Sequence, residues 1–209
     1  MAALFLFMIL LIHHTWKYLE RKKPVDLVWI AIAILGFIIF RALYLLMFLP
    51  AYLSWIIARN GKHKPIFYFA LTYATCLIIF FGSMILLPTK NLSGPIIKQQ
   101  AAFFKLHGNT RFDLDTLKPS LASFAKLLPQ AISNTFARPF LWEAKGPLQW
   151  IAALEIIGIW ILVGLAIFRP GATSTTVFKD PLFLLFMFYS VSQILLIGYI
   201  VPFPGAIVR

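Results

Sequence analysis

Two ionisable side chains fall inside long apolar runs, Arg41 within LGFIIFRALYLLM and Glu155 within IAALEIIGIW. A charge at the centre of a bilayer costs from about 2.5 kcal/mol to much more, so such residues mark candidate functional sites. Their opposite signs invite a pair, but their depths differ. If both helices start on the same side, Arg41 lies about 21 Å beyond Leu27, whereas Glu155 lies about 10 Å beyond Leu148. The alternative for Glu155 is an intramembrane hydrogen bond to a neighbouring Tyr or to Gln193, the third polar group expected at membrane depth.

FDLD places Asp113 and Asp115 two residues apart in the central polar region. Carboxylates at this spacing share a divalent cation on sugar-nucleotide phosphates in many glycosyltransferases. The competing reading is solvated turn or cap residues, since Asp favours local backbone bonds. No His or third acidic ligand stands nearby, which weakens the metal reading. His13 and His14 are adjacent and diverge on a helix, unlike a zinc pair at i and i+4. His63 and His107 stand alone in basic loops. Cys76 is the single cysteine, so it has no partner within the chain for a disulfide. No Gly-rich phosphate loop or nucleophile elbow is present, and no cofactor is implied.

The run RPFLWEAKGPLQW, residues 138–150, carries the densest signal. Trp142 and Trp150 suit the headgroup layer, where an indole has one wet and one apolar edge. Arg138 and Glu143 are close enough to pair, and Pro139 and Pro147 stiffen the chain as it returns to the membrane. A rigid structural elbow accounts for these residues. The functional reading is an interfacial Arg/Trp site for a phosphate- or sugar-bearing lipid, built from Arg138, Trp142, Glu143 and Trp150.

These residues must be positioned by helices in lipid. Of 209 residues, 61% are hydrophobic and 12% charged, against roughly 45–50% and 25% in soluble domains. That leaves too little polar surface for a water-soluble globule. It excludes a cytosolic enzyme, a disordered tail and a disulfide-stapled secreted domain. The net charge of +12 comes from basic residues that mostly flank apolar segments and face lipid headgroups, so nucleic acid is not an expected partner.

A span needs about 20 apolar residues, which predicts five transmembrane helices over 2–16, 27–49, 66–87, 148–168 and 181–201 in an all-α polytopic protein. The first run is short for a span. The second continues past Pro50 to Ala58, where a helix could bend along the interface, and a broken hairpin over 27–58 is the alternative. Basic residues near the membrane ends divide nine against five in either model, with the central region on opposite sides, so orientation stays open. The domain plan is N-terminal spans over 1–87, an amphipathic helical insertion over 88–147 and C-terminal spans over 148–209. Within the insertion one helix starts near Pro95. A second starts near Pro119 and aligns Leu121, Phe124, Leu128, Ile132 and Phe136 on one face, with Pro129 as an interruption.

The stretch from Lys98 through RPFLWEAKGPLQW, together with the ending IGYIVPFPGAIVR, resembles uncharacterised multi-pass membrane proteins of Bacteroidota-type bacteria. The shared features are an RP-x-x-WE elbow and a last span ending in G-A-I-V-R. The resemblance implies a bacterial inner-membrane location and a context among envelope polysaccharide genes. It also implies a fragment, because the relatives continue into further spans. The leading expectation is an accessory, non-enzymatic component of envelope glycan or lipid-linked oligosaccharide assembly. Its partners would be the bilayer, lipid-linked glycans and other envelope-assembly membrane proteins. The alternatives are a membrane glycosyltransferase or polymerase using Asp113, Asp115 or Glu155 on a polyprenyl-linked sugar, and a transporter or channel subunit in which Arg41, Glu155 and Gln193 meet.

Overall fold

The first helix does not stop with its apolar run at Trp16. The residues after it, KYLER, are good helix formers, and Trp16 Nε1 donates to Glu20 Oε1 one turn on at 2.6 Å. Helix α1 therefore spans Ala2–Arg21. Lys22, in the left-handed region at φ 50°, closes it by donating its backbone N–H to the Tyr18 carbonyl at 2.8 Å. Pro24 then opens α2, Pro24–Arg59. The structure, a computed structural model, describes residues 2–87, 91–106, 114–144, 146–168 and 178–202.

Among the described residues five further α-helices follow: α3 Pro65–Leu86, α4 Gly94–Phe104, α5 Leu121–Phe136, α6 Pro147–Phe168 and α7 Pro181–Ile200, with a 3-10 turn at Leu141–Glu143 between α5 and α6. Among the described residues there is no strand. The local signals are clear. Pro stands in the first turn of α3, α4 and α7, where its missing N–H costs nothing. Asp180 Oδ1 caps α7 by accepting from Leu182 N at 2.9 Å, and Ser120 Oγ caps α5 by accepting from Ser123 N.

The chain is all-α and an integral membrane protein. Among the described residues three helices are long and apolar enough to cross a bilayer, Pro24–Arg59, Pro65–Leu86 and Pro181–Ile200, and α6 carries a shorter apolar stretch, Gln149–Leu165. Their outer surfaces need lipid. Ile78 is 73% exposed and Ile85 84% exposed on α3, and such continuous apolar surface is untenable in water.

The chain forms two compact units, Met1–Leu49 and Pro50–Arg209. In the first, α1 and the start of α2 form an antiparallel pair. His14 Nδ1 and Asp26 Oδ1 meet at 2.8 Å near the turn, His14 stacks on Trp29, and Phe7 packs against Phe40 and the open face of Gly36. The backbone of α2 leaves the helix at Arg41. The rings of Phe37 and Phe48 lie 5.8 Å apart, whereas a straight helix would set their Cα atoms about 16 Å apart. The two arms therefore fold toward each other. The bend is at Arg41 rather than at Pro50, which lies inside the helical run.

In the second unit α7 is central, contacted by α3, α4 and α5. Its closest neighbour is α5, where Gly198 lies against the Ala131 backbone so tightly that a Cβ there would overlap the carbonyl. The buried face of α5 is Phe124, Leu127, Ala131 and Asn134. It shares only Phe124 with the face expected from sequence. Leu121, Leu128 and Ile132 are exposed instead, and they form the outer apolar stripe suited to an interfacial helix. The helix has two apolar flanks, and the one with small Ala131 permits the close approach to Gly198. Pro129 does not end α5.

Candidate functional site

The end of α5 builds the elbow. Ala137 N and Arg138 N both donate to the Ser133 carbonyl, at 3.0 and 3.2 Å, which stops the helix one turn beyond buried Asn134. Arg138 then reaches back and forward at once. Its Nη1 donates to Asn134 Oδ1 at 3.1 Å, and its Nε lies 3.4 Å from Glu143 Oε1. Glu143 Oε2 accepts from Phe140 N at 3.4 Å. Both Glu143 oxygens are thus used, one by side chain and one by backbone, across the 3-10 turn. The Arg138–Pro139 peptide is cis.

An aromatic ladder stands on this brace. The guanidinium carbon of Arg138 lies 5.9 Å from the Phe140 ring centroid, within reach of a cation–π contact. Phe140 stacks on Trp142 at 4.6 Å with 9° between planes. Trp142 is 79% exposed, so its outer face is open. A second indole fixes α6 to α5: Trp160 Nε1 donates to the Phe136 carbonyl at 2.7 Å. The elbow thus brings together Arg138, Trp142 and Glu143. Trp150, half exposed on α6, joins none of these contacts among the described residues.

The other candidates are dispersed. Asp113 lies outside the described residues. Asp115 is largely exposed and faces Lys126, with Nζ 3.7 Å from Oδ2. Its backbone does the structural work, since Asp115 O accepts from Gln100 Nε2 at 3.1 Å. Among the described residues no group of three His, Cys, Asp or Glu could hold a metal ion. Arg41 is exposed at the break in α2, 5.8 Å from the Tyr44 ring. Glu155 is exposed on α6. Both amide atoms of Gln193 are buried and have no hydrogen-bond partner among the described residues.

Sequence reading passed over Asn134 and Phe140, the residues that grip Arg138. Asn134 had a usable signal, because it precedes Arg138 by four residues and such pairs are neighbours on a helix. Phe140 had none, since its stack on Trp142 depends on the 3-10 geometry. It also passed over Gln100, buried at 1% exposure. Gln100 donates to Asp115 O and to Tyr199 O at 2.9 Å, and accepts from Leu117 N at 2.7 Å, so it locks the loop before α5 onto the end of α7. No protein-family model, no curated protein and no solved structure matches this chain.

Proposed function

We propose that this membrane protein is an accessory, non-enzymatic component of bacterial envelope glycan or lipid-linked oligosaccharide assembly. In this reading it acts in the inner membrane and holds a glycan-bearing lipid at the 138–143 elbow. The observation that carries the reading is the open face of Trp142, stacked on Phe140 and braced through Arg138 and Glu143. A flat, pre-organised aromatic plane suits the C–H face of a sugar ring. The adjacent cation suits a phosphate. The exposed stripe of Leu121, Leu128 and Ile132 on α5 supports a place at the headgroup layer, where Trp is favoured. The resemblance to envelope-associated membrane proteins points to the same context.

The test uses purified protein and vesicles carrying a polyprenyl-diphosphate-linked sugar, the unglycosylated polyprenyl phosphate, or anionic phospholipid alone. Trp142→Ala should weaken binding to the sugar-bearing vesicles by about tenfold, equivalent to about 1.4 kcal/mol, and leave protein abundance and binding to plain vesicles unchanged. Equal affinity of wild type and Trp142→Ala for the sugar lipid would overturn the reading.

A further inference from the structure

The turn between α1 and α2 gathers cations and ties up its carboxylates. Arg21, Lys22 and Lys23 are consecutive and exposed, and Lys17 stands one turn earlier on α1. Two acidic residues lie among them. Asp26 is buried and held by His14, whose Nδ1 lies 2.8 Å from Oδ1. Glu20 accepts from Trp16 Nε1 at 2.6 Å. None of the four cations makes an ion pair among the described residues. A cluster of like charges left unneutralised in this way attracts an anionic partner from outside the chain.

The surroundings of the turn select the kind of anion. Trp16 comes five residues before Arg21 and Trp29 five after Pro24, so each indole lies about 8 Å along its helix from the turn. Both are exposed, as are Val25, Leu27 and Val28. Exposed indoles beside apolar surface belong at the headgroup layer of a bilayer. A soluble polyanion would leave that apolar rim in water. An anionic phospholipid covers the rim with its chains and meets the cations with its phosphate. The turn is also held from both sides. Lys22 takes the left-handed conformation and donates its N–H to the Tyr18 carbonyl, and His14, bound to Asp26, stacks on Trp29. The three consecutive cations are thus presented by a braced turn rather than by a loose tail.

We propose that the α1–α2 turn is a binding site for the headgroup of an anionic phospholipid, with Arg21, Lys22 and Lys23 engaging the phosphate and Trp16 and Trp29 setting its depth. This is independent of the glycan-lipid reading, and either can fail alone.

The experiment is native mass spectrometry of the full chain in neutral detergent, titrated with phosphatidylglycerol or phosphatidylcholine, with inorganic phosphate as competitor. The wild type should bind phosphatidylglycerol in preference to phosphatidylcholine, and inorganic phosphate should not displace it. The triple variant Arg21→Gln/Lys22→Gln/Lys23→Gln should lower the affinity for phosphatidylglycerol by about tenfold or more, since each cation near a headgroup contributes appreciably. Arg21→Lys/Lys22→Arg/Lys23→Arg, which keeps the charge, should retain binding. Lys98→Gln/Lys105→Gln/Lys118→Gln removes as much charge from other exposed positions and should leave the affinity unchanged. If the first triple yields too little protein, Lys23→Gln alone, which spares the Lys22 cap, should still cost about fivefold. Equal losses in the two Gln triples, equal binding of the two lipids by the wild type, or displacement by inorganic phosphate would overturn the proposal.

Discussion

At the scale of single residues, burial and exposure separate the side chains that hold the fold from those free to bind. Gln100 satisfies three backbone groups drawn from two distant segments. A buried polar group left without a partner costs about 1–3 kcal/mol, so Gln100→Leu should destabilise the protein by about 2–4 kcal/mol. Thermal unfolding in detergent checks this, and a loss below about 0.5 kcal/mol would contradict it. Lys126, in an exposed ion pair with Asp115, is the contrasting case, because such pairs contribute little. Nothing in KQQAAFF marks Gln100 as structural, because its partner Tyr199 is ninety-nine residues away. The Arg138–Glu143 pair was legible because both residues sit on one short elbow. What sequence left out was that Arg138 is itself held from both sides. Trp142, not Arg138, is therefore the cleaner probe of ligand binding, since removing the guanidinium also loosens the brace.

At the scale of elements, one glycine decides how closely two helices pack. A Cβ on Gly198 would overlap the Ala131 backbone, and a helix backbone cannot rotate aside as a side chain can. Gly198→Ala should part α5 from α7 and cost about 1–3 kcal/mol by overpacking. Gly82→Ala, with nothing within 4 Å of its Cβ, should be neutral or mildly stabilising, since Ala is favoured over Gly inside a helix. Comparing the melting temperatures of the two variants in detergent checks the pair, and equal tolerance would contradict this packing. Helix starts were readable from Pro95, Pro119 and Pro181, because capping and proline chemistry are local. The buried face of α5 was not. Its two apolar flanks look alike in sequence, and only the absent side chain of Gly198 selects the one bearing Ala131. The position of the break in α2, at Arg41, was not legible for a related reason. Proline is the usual local cause of a kink, but the observed break at Arg41 accompanies a long-range contact, the stacking of Phe37 on Phe48.

For the whole molecule, the dominant fact is the solvent. Three long apolar helices and the apolar stretch of α6 place large residues such as Ile78, Ile85 and Leu162 at the surface, where hydrocarbon is their natural surrounding. This level was the most legible in sequence, because hydropathy is additive along the chain and needs no knowledge of packing. The functional candidates were less so. Arg138, Trp142 and Glu143 converge because they share one turn, whereas Arg41, Asp115, Glu155 and Gln193 depend on how separate helices meet. The proposal for the elbow requires a bilayer around these helices, and the most direct test is extraction from native membranes. The full chain should stay with the membrane through an alkaline carbonate wash and should become monodisperse only in detergent. Release by carbonate into a monodisperse, detergent-free species would contradict the account.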